Sequence, residues 1–215
     1  MPSNHLTKNT THPFPLDHNR RGNNMNDNYP YIAKYKMDWF LHSLINHHLN
    51  SVIERYSKVI GIRLDFSYNQ NSERYKKDYS CLQQDLRKLF KQVEQEHGIA
   101  GFFWVIEYGE DNRFHSHTVV YLDGQKIRKT FPVAERIGNL WREITQGDGK
   151  YHRCEHKENY KADINKIINH RDTDYIQGLR YIISYLAKQE QKYDMNIYGS
   201  SEVPPPSGLG RPRNL

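Results

Sequence analysis

The chain has 215 residues and a formal net charge of +6, and its length suits one domain with tails. It contains sixteen tyrosines, an aromatic content that excludes a fully disordered chain. Two cysteines are too few for a disulfide framework, no apolar run reaches membrane-spanning length, and the N-terminus has no signal-peptide stretch. We therefore expect a soluble, cytoplasmic protein whose basic charge favours a polyanionic partner.

The two ends of the chain differ in composition from its middle. Residues 1–30 are rich in Asn, His, Thr and Pro and have no periodic apolar pattern, which predicts a flexible tail. Residues 200–215 contain three consecutive prolines together with glycines and arginines, which predicts a second, irregular tail. Residues 37–199 are left as a single folded domain.

The first half of this domain begins with a helix over residues 37–56, where apolar side chains recur at helical spacing. A strand over residues 59–68 follows, with apolar side chains on one side and polar ones such as Arg63 on the other. Residues 78–97 form a second, strongly amphipathic helix that ends before a glycine.

The second half is organised around a hairpin. Strands over residues 102–108 and 114–122 flank a short polar turn and predict an antiparallel pair. A helix over residues 131–145 follows, residues 151–156 fit a strand, and residues 175–192 form the last helix. This mixture predicts an α+β fold with a mainly antiparallel central sheet and helices packed on it.

The most specific local pattern is Glu107 followed, after seven residues, by His115-Ser116-His117. Residues two apart in a strand face the same side, so both imidazoles project from one face, and the hairpin brings the carboxylate beside them. Two imidazoles and a carboxylate with open positions suit Mg²⁺ or Mn²⁺ that also holds a phosphate oxygen. The alternative interpretation is a hairpin that carries two incidental surface histidines.

A second histidine pattern lies in the segment that fits a strand. His152, Cys154 and His156 share the spacing of one strand face, and zinc accepts all three as ligands. Their neighbours, including Arg153 and Glu155, are charged. Those charges favour a solvent-exposed strand or loop over a zinc site.

The last predicted helix carries a polar face of its own. Tyr181, Tyr185 and Lys188 gather at helical spacing, nearly opposite the apolar side chains of the same helix. A phenol is protonated near neutral pH and needs a cation or a metal-polarised substrate to act as a nucleophile. Lys188 is the candidate cation, acting on the phenolate or on a pentavalent phosphate. Tyrosines lying on a wet helix surface are the alternative.

Taken together, these two motifs resemble those of the HUH endonuclease superfamily, which contains rolling-circle replication proteins, relaxases and related transposases. Within it, the chain is similar to the replication-associated proteins of inoviruses and related prophages in residues 62–67, 182–189 and 198–201, and the resemblance extends over residues 37–201. The central position of the histidine motif is usually bulky and hydrophobic. Ser116 departs from that pattern, on the side away from the metal face.

The resemblance implies roles for individual residues. His115 and His117 would be metal ligands with Glu107 as the third, and Tyr185 would be the nucleophile. Tyr181 is similar in position to the second tyrosine of some phage initiators, which handles termination. Only Tyr185 has a lysine at the third position after it, which favours it as the nucleophile.

The implied activity is nicking and rejoining of single-stranded or extruded hairpin DNA at a replication origin, through a 5′-phosphotyrosine intermediate. A host helicase and polymerase are expected partners, because the sequence has no helicase-type phosphate loop. Contacts to the DNA backbone are expected from Arg63, Lys126, Arg128 and Lys129, each of which is equally compatible with a solvated charge. Two other functions fit the sequence: a basic module that binds DNA without cutting it, and a metal-dependent hydrolase that uses activated water.

Overall fold

The computed structural model describes residues 29–155, 163–192 and 195–206. Most of both predicted tails and His156 lie outside the described residues. The helices are α1 (Trp39–Arg55), α2 (Glu73–Lys76), α3 (Tyr79–Val93), α4 (Phe131–Ile144) and α5 (Thr173–Ile183), and a 3-10 turn (Ser184–Ala187) continues α5. The strands are β1 (Lys58–Tyr68), β2 (Ile99–Gly109), β3 (Arg113–Asp123), β4 (Gly149–Arg153), β5 (Ile168–Asn169) and β6 (Tyr198–Ser200).

All six strands join one sheet, in the order β4-β1-β3-β2-β6, with β5 pairing with β1. Every pairing is antiparallel. Helices pack against both faces of this sheet. The predicted α+β fold with a mainly antiparallel sheet is therefore confirmed.

The three central strands divide their side chains between two hydrophobic layers, because successive residues of a strand face opposite sides. Even-numbered residues of β1, β2 and β3 pack with α3 and α4, around side chains such as Phe66, Leu86 and Trp141. Odd-numbered residues of the same strands pack with α1 and α5, around Leu49 and Leu179. The sheet is thus covered by helices on both faces.

The helix boundaries follow from capping side chains. Asp38 accepts a hydrogen bond from the backbone N–H of Leu41 at the start of α1, and Asp172 accepts one from Tyr175 at the start of α5. Gly98, after α3, adopts a φ of +84°, which only glycine reaches without strain. Within the part of the chain that the structure describes, no helix is long and apolar enough to cross a membrane.

The last helix is shorter than the sequence predicts. Its α-helical hydrogen bonding ends at Ile183, so the prediction of one helix over residues 175–192 is wrong. The chain tightens into the 3-10 turn, and Lys188 becomes extended with a ψ of 142°. The reason is tertiary: Lys188 forms an antiparallel bridge with Met37, and the carbonyl of Ala187 accepts a hydrogen bond from the N–H of Asp38. The segment that follows α5 is therefore bound to the start of α1.

A core substitution tests the layer between the sheet and α3. Leu86 is fully buried there, so Leu86→Ala is expected to lower the free energy of unfolding by about 2–5 kcal/mol, through lost burial and the cavity it leaves. Urea denaturation followed by circular dichroism measures the loss. Gln84→Ala on the exposed side of the same helix is the control and should change stability by less than about 0.5 kcal/mol. Equal effects of the two substitutions would contradict the assigned packing.

Candidate metal and tyrosine site

The candidate site lies on the sheet face that is formed by the odd-numbered residues of β1, β2 and β3. It occupies one end of that face, beyond the apolar residues that pack against α1 and α5. In the β2–β3 hairpin Glu107 pairs with His115, and in the β1–β3 pair Asp65 pairs with His117. All four residues are odd-numbered and share the face of Val105 and Val119, which are core residues. The polar cluster therefore continues an apolar surface, and its side chains are held by three adjacent strands.

The predicted metal ligands do converge. Glu107, His115 and His117 are buried, and each offers a ligand atom such that these atoms all lie within 4.8 Å of one another. The Nδ1 atom of His115 donates to the carbonyl of Arg113 at 3.0 Å, and Nδ1 of His117 donates to Asp65 Oδ1 at 2.7 Å. These hydrogen bonds leave Nε2 of each ring as the nitrogen available to a metal ion.

The donor set of this cluster fits a divalent metal ion. His117 Nε2 is buried and faces Glu107 Oε2 at 3.3 Å, a contact that is an ion pair only when the ring is protonated. In the neutral ring that nitrogen is a buried acceptor without a donor, which costs free energy unless a cation engages it. A divalent cation bound by His115, His117 and Glu107 would engage that nitrogen. The buried Ser116 lies on the opposite face of the strand, where its hydroxyl contacts Thr118 at 3.2 Å.

The protonation states of the cluster follow from burial and neighbouring charges. Burial lowers the pKa of His115, and the adjacent His117 lowers it further, which favours the neutral imidazole that binds metals. Burial alone would also lower the pKa of His117, but the carboxylates of Asp65 and Glu107 raise it above its ordinary value. Burial would raise the pKa of Glu107, but His117 and two lysines lower it to about 2.

Those two lysines form ion pairs with the fully buried Glu107. Lys188 Nζ lies 2.9 Å from Oε2, and Lys192 Nζ lies 2.6 Å from Oε1. Glu107 thus has two roles available, as a third metal ligand and as the counter-ion of the lysines. Lys188 is predicted from the sequence to lie on a polar helix face, but its ammonium group is buried. Lys192 is not among the residues predicted for the site. The spacing of four residues between Lys188 and Lys192 was the signal in the sequence that could have identified Lys192.

Tyr185 lies beside the histidines. The centroids of the His117 and Tyr185 rings are 5.0 Å apart, and Lys188 Nζ donates a hydrogen bond to the Tyr185 hydroxyl at 2.8 Å. The guanidinium of Arg63 stacks on the same ring at 4.6 Å, and Tyr35 contacts it edge-on at 5.5 Å. The phenol is therefore fixed on several sides, and its oxygen is held by an ammonium group that also pairs with Glu107.

The other predicted residues are placed differently. Arg63 lies in the site itself, where it also pairs with Asp65 at 3.3 Å. Lys126, Arg128 and Lys129 follow the far end of β3, and Asp123 at that end is about 20 Å from His117 at the rise of an extended strand. The structure does not bring these three together with the histidines, and their contacts to DNA stay a prediction. Tyr181 lies in α5, one turn before the 3-10 turn.

The second histidine pattern is also only partly as predicted. His152 is exposed and belongs to β4, which ends at Arg153, whereas Cys154 is half-buried and donates its thiol hydrogen to Asp65 Oδ2 at 3.2 Å. Burial raises the pKa of Cys154 to about 12, which keeps the thiol protonated in this contact. Asp65 thus contacts both His117 and Cys154. The sequence analysis assigned it no role, although a carboxylate on a buried strand was a signal.

A cleft of about 540 Å³ opens over the whole region. Its walls include Asp65, His115, His117, His152 and Tyr185. Among the described residues that line it, Tyr185 is present and Tyr181 is absent. The cleft therefore gives a ligand simultaneous access to the two candidate histidine ligands and to one of the two candidate nucleophiles.

The chain is a replication-initiator-like protein, because its sequence matches a family of replication proteins. Residues 64–194 match the replication-associated protein ORF2/G2P family, which covers more than half of the chain, and the chain belongs to that family. The resemblance to rolling-circle replication proteins is thereby confirmed, and a replication-initiator-type nuclease is supported in general terms. The narrower placement with inovirus proteins stays a prediction.

A solved structure similar to the chain is the N-terminal nuclease domain of non-structural protein 1 from minute virus of mice, at 12% identity and a TM-score of 0.29, over 67% of this chain and 98% of that one. That domain has Zn²⁺ coordinated in its active-site pocket and recognises DNA at the origin of replication. No curated protein matches the chain.

Proposed function

We propose that the protein is a metal-dependent endonuclease that nicks and rejoins single-stranded or extruded hairpin DNA at a replication origin, with Tyr185 as the nucleophile. The observation that carries this proposal is the shared position of the phenol and the histidines: the rings of Tyr185 and His117 lie 5.0 Å apart at one cleft. Membership of a replication-associated family supports the class of substrate.

The three candidate metal ligands and Tyr185 each have a definite part in the proposed reaction. Mg²⁺ or Mn²⁺ bound by His115, His117 and Glu107 would polarise a non-bridging oxygen of the scissile phosphate. Tyr185 Oη forms a bond to phosphorus and loses its proton, while the bond to the 3′-oxygen breaks and that oxygen takes up a proton. The products are a 5′-phosphotyrosine and a free 3′-hydroxyl for a polymerase. The phosphodiester energy is conserved, so rejoining needs no ATP.

Lys188 supports the nucleophile. Its ammonium group donates to the Tyr185 oxygen and therefore stabilises a developing phenolate. Burial alone would lower the pKa of Lys188, but Glu107 and the Tyr185 hydroxyl raise it, so this group stays charged near neutral pH. The same ammonium pairs with Glu107, which links the nucleophile to the metal ligands.

The experiment incubates the full chain with Mn²⁺ and labelled single strands tiled across the replicon that carries its gene. We expect a covalent protein–DNA adduct on a denaturing gel, and we expect a chelator to abolish it. Each alternative function gives a different result. A binding module that does not cut gives salt-sensitive binding and no adduct. A hydrolase that uses activated water gives nicked DNA without any adduct.

Two exposed aromatic side chains supply a surface for unpaired bases. Trp39 and Phe40 are 60% and 53% exposed in the first turn of α1. That turn is joined to the tyrosine segment by the bridge between Met37 and Lys188. Aromatic rings at the surface stack on nucleobases without regard to sequence, which suits a single strand that enters the cleft.

This surface gives a binding prediction. Trp39→Ala is expected to weaken binding of a fluorescein-labelled single strand by about 5- to 150-fold, because stacking on one base contributes about 1–3 kcal/mol. Fluorescence anisotropy at a fixed salt concentration measures the change. Phe131→Ala is the matched control, since Phe131 is 56% exposed on α4, which covers the other face of the sheet. Equal affinities of the two variants would refute the assignment.

A further inference from the structure

A second group of metal-binding side chains lies beside the first. Asp65, His152 and Cys154 each offer a ligand atom, and these atoms all lie within 4.8 Å of one another. The sulfur of Cys154 is 3.2 Å from Asp65 Oδ2 and 3.6 Å from His152 Nδ1. Asp65 of β1 is opposite His152 of β4 in these paired strands, and Cys154 follows the last residue of β4.

The separation between the sulfur and the nitrogen matches the geometry of one particular ion. In tetrahedral zinc sites the Zn–S and Zn–N distances are about 2.3 and 2.0–2.1 Å, so a sulfur and a nitrogen bound to the same ion lie about 3.6 Å apart. The thiol and the imidazole already have that separation. A thiolate also selects zinc over Mg²⁺ or Mn²⁺, which prefer oxygen ligands.

From this geometry we infer that the protein has a second cation site, formed by Asp65, His152 and Cys154, which binds Zn²⁺ with an open fourth position. Binding forms the metal–sulfur bond as the thiol releases its proton to water, and the ion replaces that proton as the partner of Asp65 Oδ2. None of these three side chains is assigned a step in the proposed tyrosine reaction, so zinc binding at this site can be tested whether or not that reaction occurs.

The placement of Asp65 gives the second site a consequence for the first. Its Oδ1 atom accepts the hydrogen bond from His117 Nδ1, while Oδ2 faces Cys154. A cation on Oδ2 would hold the carboxylate in the orientation that fixes the His117 ring. Carboxylates that orient a ligating histidine in this way affect metal affinity by about 10- to 100-fold. His115 and His117 of the first site line the same cleft as Asp65 and His152 of the second.

Cobalt distinguishes the two sites by spectroscopy. The metal-free full chain, kept reduced and anaerobic, is titrated with Co²⁺. We expect a near-ultraviolet absorption from sulfur-to-cobalt charge transfer, which the histidine and glutamate ligands of the first site do not produce. The band should be absent in Cys154→Ser and present in Cys81→Ser, a matched control because Cys81 is the other cysteine and lies against Tyr68 in a different layer.

Two further substitutions and the addition of Zn²⁺ test which residues bind the cobalt ion. His115→Ala should keep the band, because His115 belongs to the first site alone. His152→Ala should weaken Co²⁺ binding by more than about tenfold, since even an outer partner of a ligand contributes that much. Excess Zn²⁺ should remove the band by displacing cobalt. A wild-type protein without the band, or a band that survives in Cys154→Ser, would overturn the inference.

A measurement on the unaltered protein covers the case in which Cys154→Ser does not fold. Iodoacetamide alkylation with and without Zn²⁺, read by mass spectrometry of the peptides, reports each cysteine separately. We expect Zn²⁺ to slow alkylation of Cys154 at least about tenfold, because a metal-bound thiolate is a poor nucleophile, and to leave Cys81 unchanged. Equal protection of both cysteines, or of neither, would contradict the second site.

Discussion

Replacement of Tyr185 by phenylalanine is expected to abolish the covalent protein–DNA adduct while leaving DNA binding within about twofold. The substitution removes only the oxygen that Lys188 holds at 2.8 Å, and the ring contacts with Arg63 and His117 need no hydroxyl. Loss of a nucleophile lowers the rate by roughly a thousand-fold or more, which places the adduct below detection on a gel. Binding is measured by anisotropy with the same strand.

Tyr181→Phe is the matched control for this result. Both tyrosines lie at the C-terminal end of the same helix and its 3-10 turn, but only Tyr185 is among the described residues that line the cleft. We expect Tyr181→Phe to form the first adduct at a rate near that of the wild type. If the adduct survives in Tyr185→Phe and disappears in Tyr181→Phe, the nucleophile has been assigned to the wrong residue.

Replacement of a candidate metal-binding histidine has the second-largest expected effect. His117→Ala should weaken Mn²⁺ binding by more than about 100-fold, because even the outer carboxylate partner of such a histidine contributes about 10- to 100-fold. The adduct should disappear at Mn²⁺ concentrations that saturate the wild type. Isothermal titration calorimetry measures the affinity, and the gel measures the adduct in the same preparations.

The pH dependence of metal binding gives an independent test of the same ligands. Asp65 and Glu107 raise the pKa of His117 above its ordinary value, so the metal-free imidazole stays protonated to a higher pH than a free one. A cation must displace that proton. The affinity for Mn²⁺ is therefore expected to rise with pH through the raised pKa of His117 and to fall on acidification. An affinity that is independent of pH across this range would argue against His117 as a ligand.

Local patterns were sufficient to predict the parts of the site that a single hairpin creates. The alternation of β3 places His115 and His117 on one face, and the short turn sets Glu107 opposite His115. These relations depend on strand periodicity and turn length, which are encoded within about fifteen residues. The strand patterns also predicted the antiparallel sheet.

Residues that reach the site from elsewhere could not be predicted in this way. Asp65 contacts His117 only because β1 pairs with β3 in one register, and a shift by one residue would turn its side chain into the other core. The helix before Tyr185 ends early because of the bridge between Met37 and Lys188, residues far apart in sequence. Such contacts depend on tertiary structure, and helical periodicity contains no information about them.

The structure also changes the interpretation of the second histidine pattern. Strand spacing predicted that His152 and Cys154 lie together with His156. Among the described residues, His152 and Cys154 lie together with Asp65 of the neighbouring strand β1. The charged neighbours correctly indicated that His152 is exposed. They did not indicate that the thiol of Cys154 turns toward a carboxylate, because that contact again depends on pairing between strands.

Mass spectrometry of the trapped adduct tests the assigned chemistry most directly. After nuclease digestion of the DNA and proteolysis of the protein, one peptide should retain a nucleotide. We predict that fragmentation places this nucleotide on the oxygen of Tyr185, bonded through its 5′-phosphate. A nucleotide on Tyr181 or on any other side chain, or cleaved DNA that leaves no modified peptide at all, would contradict the assignment.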